Sequence, residues 1–124
     1  MWLIAQDIDM HTFTYDDMTW KAPFKLTAKR NDYVHALLAY FDIEFSDTHK
    51  PVKFTTRTEA KPTHWKQSVF YVVENLTMVK GESLSGQITV TPNEKNFRDL
   101  DINISVDFSG DHQESYTEQF YRFR

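Results

Sequence analysis

The segment from Leu100 to Phe108 alternates apolar and polar side chains at every position. Leucine, isoleucine, valine and phenylalanine take the even positions, and aspartate, asparagine and serine take the odd ones. A period of two places every apolar side chain on one face of an extended strand, whereas a helix would scatter them around its surface. The segment therefore predicts a strand with one buried face, so the chain must form a sheet that covers it.

Weaker patterns of the same kind recur along the chain, separated by turn-forming residues. Trp2, Ile4 and Ile8 share one parity and predict a strand over residues 2–9. Further strands are predicted over residues 24–28, 52–56, 67–73, 84–90 and 114–121. Polar segments predict turns or loops at residues 11–18, 47–51, 57–62, 80–83, 92–96 and 109–112. Strands at this spacing indicate an all-β sandwich or barrel, and no linker is evident, so we expect one domain over residues 1–124.

One stretch fits two structures. In residues 32–41, the apolar positions Val34, Leu37, Leu38 and Phe41 have the spacing of a helix face. Residues 41–45 then alternate like a strand. The pattern allows either a short helix that leads into a strand or one long strand that is buried on both faces at its start.

Composition excludes several classes of protein. The net charge of −4 does not favour a nucleic-acid binder, which usually has a basic surplus. The absence of cysteine excludes a disulfide scaffold and a cysteine zinc site. No apolar run approaches the roughly 20 residues of a membrane-spanning helix. The first residues lack the basic lead and apolar length of a signal peptide, so we expect an intracellular protein without a membrane.

Most of the potentially reactive residues fit no known motif. Gly81, Gly86 and Gly110 are too far apart to form a cofactor-binding loop. The histidines are not spaced as metal ligands; they are His11, His35, His49, His64 and His112. We therefore expect no metal site and no cofactor bound by this chain.

The segment Pro62-Thr63-His64-Trp65-Lys66-Gln67 has more chemical potential. An imidazole can orient a carboxylate, and an indole can cover the face of a planar cation. A plainer interpretation is that Trp65 fills one end of a barrel while His64 bonds to the backbone. The residue types alone favour that plainer interpretation.

Residues 63–67 followed by Val69-Phe70-Tyr71 resemble the segment that gives the "THW loop" of protein arginine methyltransferases its name. Other blocks agree in family order and spacing. They are residues 29–37, 39–41 and 43–45, then Pro92-Asn93, Lys95-Asn96 and residues 98–101, and finally Tyr121-Arg122-Phe123-Arg124. The blocks cover nearly the whole chain from about Ala5. The predominant type I subgroup, which makes asymmetric dimethylarginine, is the most similar.

The resemblance implies the β-barrel or distorted sandwich that forms the C-terminal domain of the arginine methyltransferase fold. It also favours a strand over residues 33–45. In that family a Rossmann-like domain binds S-adenosylmethionine, and the substrate arginine lies between the two domains. Carried over by position, His64 and Trp65 belong to the catalytic site. His64 pairs with an acidic residue of the cofactor domain, Trp65 walls the arginine pocket, and Thr63 helps to fix the loop and bind substrate.

The family's cofactor loop, paired-glutamate hairpin and dimerisation arm have no counterpart here. We therefore expect a partial domain without the Rossmann domain, inactive alone and part of a homodimeric parent enzyme. The resemblance implies protein substrates such as histones and Arg/Gly-rich RNA-binding proteins, in cytoplasm and nucleus. Residues 57–61 differ from the family's proline- and serine-containing loop, and Met1–Ile4 also fit poorly. The alternatives are a stand-alone protein-interaction module without catalysis and a barrel that binds a small ligand.

Overall fold

Strands account for most of the computed structural model, which describes residues 3–124. A short 3-10 helix, Tyr15–Met18, precedes the first strand. The strands are β1 (Trp20–Thr27), β2 (Asp32–Ala39), β3 (Asp42–Phe45), β4 (Val52–Thr55), β5 (Ser68–Met78), β6 (Ser83–Pro92), β7 (Leu100–Ser109) and β8 (Glu114–Phe123). The predicted all-β class is confirmed.

The chain divides into two compact units, which are described separately. One comprises the chain up to His35 together with Val72–Arg124, and the other is Ala36–Tyr71. The division passes through β2 and β5, which pair with each other in a two-stranded sheet. It does not follow a linker. The single domain over residues 1–124 stays a prediction.

The first unit contains a four-stranded antiparallel sheet in the order β1-β6-β7-β8. The interior strand β7 pairs with β6 through Ile104↔Ile88 and with β8 through Ile104↔Gln119. Its alternation has the predicted effect, since one face is buried; the buried side chains are Ile102, Ile104, Val106 and Phe108. The sequence prediction for β7 is confirmed.

Two residues that usually weaken strands fit their positions in this sheet. Pro23 lies in β1, which is an edge strand of the sheet, where a residue without an N–H removes no bond from an interior ladder. Gly86 in β6 lies opposite Phe24 and Val106. A Cβ added at Gly86 would be 1.9 Å from the Ser105 carbonyl oxygen and 2.7 Å from the Phe24 ring. Only glycine allows this close approach.

Glutamine side chains connect residues 72–78 of β5, which belong to the same unit, to β8 and to the turn before it. The Val73 amide donates to Gln119 Oε1 at 2.8 Å, and the Thr77 amide donates to Gln113 Oε1 at 2.9 Å. Gln113 Nε2 in turn donates to the Asn75 carbonyl at 3.2 Å. These bonds satisfy backbone groups of β5 that a neighbouring strand would otherwise have to satisfy.

Glu82 ties two hairpin turns together. Its carboxylate accepts hydrogen bonds from the Val79 amide at 2.8 Å and the Asp111 amide at 2.7 Å. These two bonds, the Asp111 bond first, lower the pKa of Glu82. The preceding residue, Gly81, has a φ of +94°, which only glycine adopts without strain.

Two sequence predictions need correction. The strand over residues 2–9 is wrong for residues 3–9, which have no regular structure and expose Leu3, Ile4 and Ile8, while Trp2 lies outside the described residues. Apolar residues at alternate positions do not form a strand where no neighbouring strand supplies hydrogen bonds. The ambiguous stretch is extended and not helical, but the expected strand over residues 33–45 is interrupted at Tyr40 and Phe41.

We expect Gly86→Ala to destabilise the chain by about 1–3 kcal/mol, since the new methyl group would overlap a backbone oxygen that no rotamer change can move away. Urea unfolding followed by circular dichroism measures the loss. Ser85→Ala, at the neighbouring exposed position, should change the free energy of unfolding by less than about 0.5 kcal/mol. Equal stability of the two variants would contradict the close packing.

Glu82→Gln should lower the melting temperature at neutral pH, because a neutral amide has one oxygen to serve two backbone amides. The folded-state pKa of Glu82 lies below its ordinary value of 4.5. Its stabilising contribution is therefore present above that pH and lost as the pH falls through the folded-state pKa. Calorimetry from pH 7 to pH 3 should show that the difference in melting temperature between variant and parent becomes smaller in acid. If the difference in melting temperature does not change with pH, the ionised carboxylate of Glu82 is not its cause.

Candidate functional site

The segment from Thr56 to Gln67 connects β4 to β5 and contains all three residues that the sequence assigns to a site: Thr63, His64 and Trp65. It lies wholly within the Ala36–Tyr71 unit. We refer to residues 57–66 as the site loop. Loops on a fixed scaffold are common places for binding residues, so what holds this one matters for its chemistry.

Thr56 anchors the base of the site loop. It is buried, with 3% of its surface exposed. Its hydroxyl accepts a bond from the Phe41 amide at 3.0 Å and donates to the Phe41 carbonyl at 3.1 Å. Its own carbonyl accepts a 2.6 Å bond from Gln67 Nε2 at the other end of the loop. One buried threonine therefore connects both ends of the loop to the strand break before β3.

Thr63 closes a tight turn around His64. Its hydroxyl oxygen accepts a hydrogen bond from the Trp65 amide at 3.1 Å and lies 3.0 Å from the Trp65 carbonyl, to which it donates. Local bonds of this kind are a common way for threonine to stabilise a turn. The turn fixes the two residues that follow Thr63 relative to each other.

Trp65 rests on one aromatic side chain from β4 and one from the break before β3. Its ring stacks on Phe54 of β4, with 5.4 Å between centroids and 28° between planes. Phe41 makes a tilted contact at 5.7 Å. Trp65 nevertheless keeps 42% of its surface exposed. An indole held in this way presents a fixed apolar plane to solvent, which suits a planar cation.

His64 is exposed and lies beside the indole, with 5.0 Å between the two ring centroids. In the described part of the chain its imidazole forms no hydrogen bond, so the plainer interpretation of a backbone-bonded histidine does not hold for residues 3–124. The structure places Thr63, His64 and Trp65 together on one turn. The catalytic and binding roles of these three residues stay predictions.

A second polar group lies next to the base of the site loop. Arg57 Nη2 forms a 3.1 Å ion pair with Asp42 Oδ2, and its guanidinium lies 5.5 Å from the centre of the Tyr40 ring. The Thr55 hydroxyl donates to the other Asp42 oxygen. The Thr55 bond first, and then the Arg57 charge, lower the pKa of Asp42. These contacts hold the first residue of the loop.

The site loop encloses a shallow cleft of about 240 Å³. Three cationic side chains line it, Arg57, Lys61 and Lys66, and no carboxylate does. Thr63 and Trp65 form part of the same wall. The charged groups that line the cleft are therefore all positive, in a chain whose net charge is −4, while Glu59 of the same loop does not line it.

Sequence reasoning missed the residues that support the site, namely Phe41, Phe54, Thr56 and the Asp42–Arg57 pair. Phe41 and Phe54 were visible as apolar residues in the part of the chain that precedes the loop. No sequence signal indicates that Thr56 would bond to Phe41, since their contact depends on how β3 and β4 pair.

Residues 3–124 also contain histidines, carboxylates and glycines that other types of site could use. No three histidine or carboxylate side chains there gather as metal ligands. Within the same residues, no helix combines the length and apolar character needed to cross a membrane. Gly81 and Gly110 lie in hairpin turns, and Gly86 lies within β6. None of these glycines leads from a strand into a helix.

Comparison with known sequences agrees with the resemblance of the THW segment. The family described as "Arginine methyltransferase oligomerization subdomain" matches residues 3–111. Protein arginine N-methyltransferase 1 of Schizosaccharomyces pombe is 52% identical over 106 residues, which are 86% of this chain and 31% of that protein. The enzyme of the same name from Chlamydomonas reinhardtii is 46% identical over 117 residues, which are 94% of this chain and 34% of that protein. The chain thus spans about a third of these relatives.

Solved structures share the fold. A chain of the Trypanosoma brucei PRMT1 enzyme-prozyme heterotetrameric complex with AdoHcy matches with a TM-score of 0.88 and 38% identity, over 94% of this chain and 37% of that one. Arabidopsis thaliana protein arginine methyltransferase 10 matches with a TM-score of 0.82 at 16% identity, over 98% of this chain and 37% of that one, which shows a common fold alone. Because the family match covers most of its length, this chain belongs to the arginine methyltransferase oligomerization subdomain family.

Proposed function

We propose that this chain is the substrate-side β-barrel of a type I protein arginine N-methyltransferase. The parent enzyme uses S-adenosylmethionine to make asymmetric dimethylarginine on proteins such as histones and Arg/Gly-rich RNA-binding proteins. Alone, without the Rossmann domain, the chain is inactive and binds no cofactor. The observation that carries this proposal is the Thr63–Trp65 turn, which holds an imidazole and a half-exposed indole side by side on a supported loop.

The relatives support the reaction class. Two are named protein arginine N-methyltransferase 1, and the Trypanosoma brucei complex was solved with AdoHcy. AdoHcy is the product that remains after S-adenosylmethionine gives up its methyl group, so the parent of this chain would use the same cofactor. The type I product and the choice of protein substrates rest on the resemblance of the sequence blocks.

The chain would contribute position and electrostatics to the reaction. When bound by the cofactor domain, S-adenosylmethionine would supply an electrophilic methyl group; the guanidinium nitrogen would form the new C–N bond as the C–S bond breaks, and the proton released from that nitrogen would pass to solvent. Trp65 would wall the guanidinium plane on one side, where the ring face favours a cation. His64 would pair with a carboxylate of the cofactor domain. The Thr63 bonds and the Phe54 stack keep both rings in place, which reduces the entropy lost in the transition state.

The parent enzyme would be a homodimer in the cytoplasm and nucleus. Assembly into an oligomer is supported by the chain's membership of an oligomerization subdomain family and by the heterotetrameric complex of the Trypanosoma brucei relative. The dimerisation arm expected from the resemblance would lie elsewhere in the parent. The partners of this chain would then be the Rossmann domain and arginine-containing proteins, with neither nucleic acid nor membrane among them.

A reconstitution assay tests the proposal. The chain is mixed with the cofactor domain of a related arginine methyltransferase, S-adenosylmethionine and an arginine- and glycine-rich peptide. Methylation should appear in the mixture and not with the chain alone. Trp65→Ala should lower the rate about tenfold through lost cation contact, and His64→Ala about a hundredfold through lost domain alignment.

Matched controls separate function from folding. His49→Ala removes an exposed histidine from a turn outside the site loop and should leave the rate unchanged. Circular dichroism must show that each variant is folded. A mixture that demonstrably associates yet shows no methylation would overturn the enzyme assignment and favour a protein-interaction module without catalysis.

Thr63→Val should loosen the turn that presents His64, because valine keeps the shape of threonine and loses its hydroxyl. The Trp65 amide would then lack its acceptor. The free energy of one hydrogen bond, about 1 kcal/mol, corresponds to roughly fivefold faster exchange of the Trp65 amide hydrogen. Hydrogen exchange followed by nuclear magnetic resonance measures this change. Thr58→Val, a substitution in the same loop, should leave that rate unaltered, and faster exchange in both variants would refute the specific role of Thr63.

A further inference from the structure

We propose that the cleft of the site loop binds an acidic side chain of the protein substrate, so that the parent enzyme favours target arginines with aspartate or glutamate nearby. The assignment to a substrate rests on the proposed function. The affinity of the cleft for a carboxylate does not, and it can be tested on this chain alone.

The charged side chains that line the cleft are all cationic, although Glu59 belongs to the same loop. Arg57, Lys61 and Lys66 line it, and no aspartate or glutamate does. The charge of Arg57 is largely balanced by Asp42 at 3.1 Å. No ion pair within residues 3–124 involves Lys61 or Lys66, and both are exposed. The two lysines therefore leave a net positive charge at the cleft, which attracts an anion most strongly at low ionic strength.

The size of the cleft limits what it can hold. A volume of about 240 Å³ is smaller than the roughly 300–1,000 Å³ of typical small-molecule sites. It is sufficient for one side chain with its water shell. A carboxylate on a peptide fits both the charge and the volume.

The cleft adjoins the proposed arginine site, so its charge would affect which substrates are preferred. Thr63 and Trp65 line the cleft and also form the proposed arginine site. A peptide with its arginine against Trp65 would place a residue only a few positions away next to Lys61 or Lys66. Residues 57–61 are also where the sequence differs from the loop usual in its family. Lys61 falls in that stretch, whereas Lys66 belongs to the block that resembles the family, so the preference would distinguish this protein from relatives that lack Lys61.

A titration of the 124-residue chain tests the affinity directly. The probe is a capped Gly-Glu-Gly-Glu-Gly peptide without arginine, and the readout is the Trp65 indole N–H resonance, assigned with Trp65→Phe. The peptide should shift this resonance at low salt, and the matched Gly-Gln-Gly-Gln-Gly peptide should not. The dissociation constant should rise as salt is added.

Charge variants locate the site. Lys61→Ala and Lys66→Ala should each weaken binding about two- to fivefold, as expected for exposed ion pairs, and Lys61→Glu with Lys66→Glu should abolish it. Lys25→Ala, in β1 of the other unit, should have no effect. No shift with the glutamate peptide, or an equal shift in the double variant, would overturn the proposal. Competition by inorganic phosphate at equal strength would also overturn it, in favour of a phosphate site.

The reconstituted enzyme then tests the assignment to a substrate. Arginine peptides with glutamate two to four residues away should be methylated faster than matched glutamine peptides, and the lysine double variant should remove the difference. If neutral peptides are methylated and acidic ones gain nothing, the substrate assignment fails while the proposed function stands. If no peptide is methylated but the glutamate peptide still binds, the proposed function fails and the carboxylate assigned to the cleft cannot belong to a substrate.

Discussion

Backbone pairing of β7 with a strand on each side is the constraint on which its sheet depends. Because side chains alternate across a strand, that pairing fixes which residues are buried. Burial of each large apolar side chain contributes roughly 1.5–3 kcal/mol, and β7 buries four, including Phe108 at 1% exposure. This sum is comparable to the typical net stability of a whole domain, about 5–15 kcal/mol. A shift of one residue would expose all four and bury Asp101 and Asp107 instead, so the register has no close competitor.

The Ala36–Tyr71 unit is held together differently. The structure shows one buried apolar side chain there, Phe70, and its loop depends on polar bonds and ring stacking. Thr56 uses its hydroxyl, amide and carbonyl in four hydrogen bonds to Phe41 and Gln67. Each bond contributes only about 1 kcal/mol net, but the bonds are directional and therefore define a geometry. Such a base suits a segment that must present side chains to another surface.

How far the sequence predicts the structure depends on whether the signal is local. The alternation of residues 100–108 predicts β7 to within one residue, because it reports a single buried face. The predicted end of β5 at residue 73 is too early, since Glu74 and Asn75 interrupt the pattern although Leu76 and Met78 are buried beyond them. The strand predicted over residues 2–9 is the opposite error, because the pattern is present but residues 3–9 have no partner strand. Bonds such as Gln113 to Thr77 join residues far apart in the chain, and no periodicity can reveal them.

The same distinction applies to the candidate site. The identity of Thr63, His64 and Trp65 could be read from a short motif, and the structure adds the contacts that hold these residues in place. Trp65 is held on two phenylalanines that the motif does not contain, so its orientation depends on β4 and on the break before β3 rather than on the loop itself. Arg57 is paired with Asp42 of β3, but Lys61 and Lys66 form no ion pair within residues 3–124. A lysine there can change without disturbing the stack beneath Trp65, so selectivity for the surroundings of an arginine can diverge while the surface proposed to hold the arginine is conserved in shape.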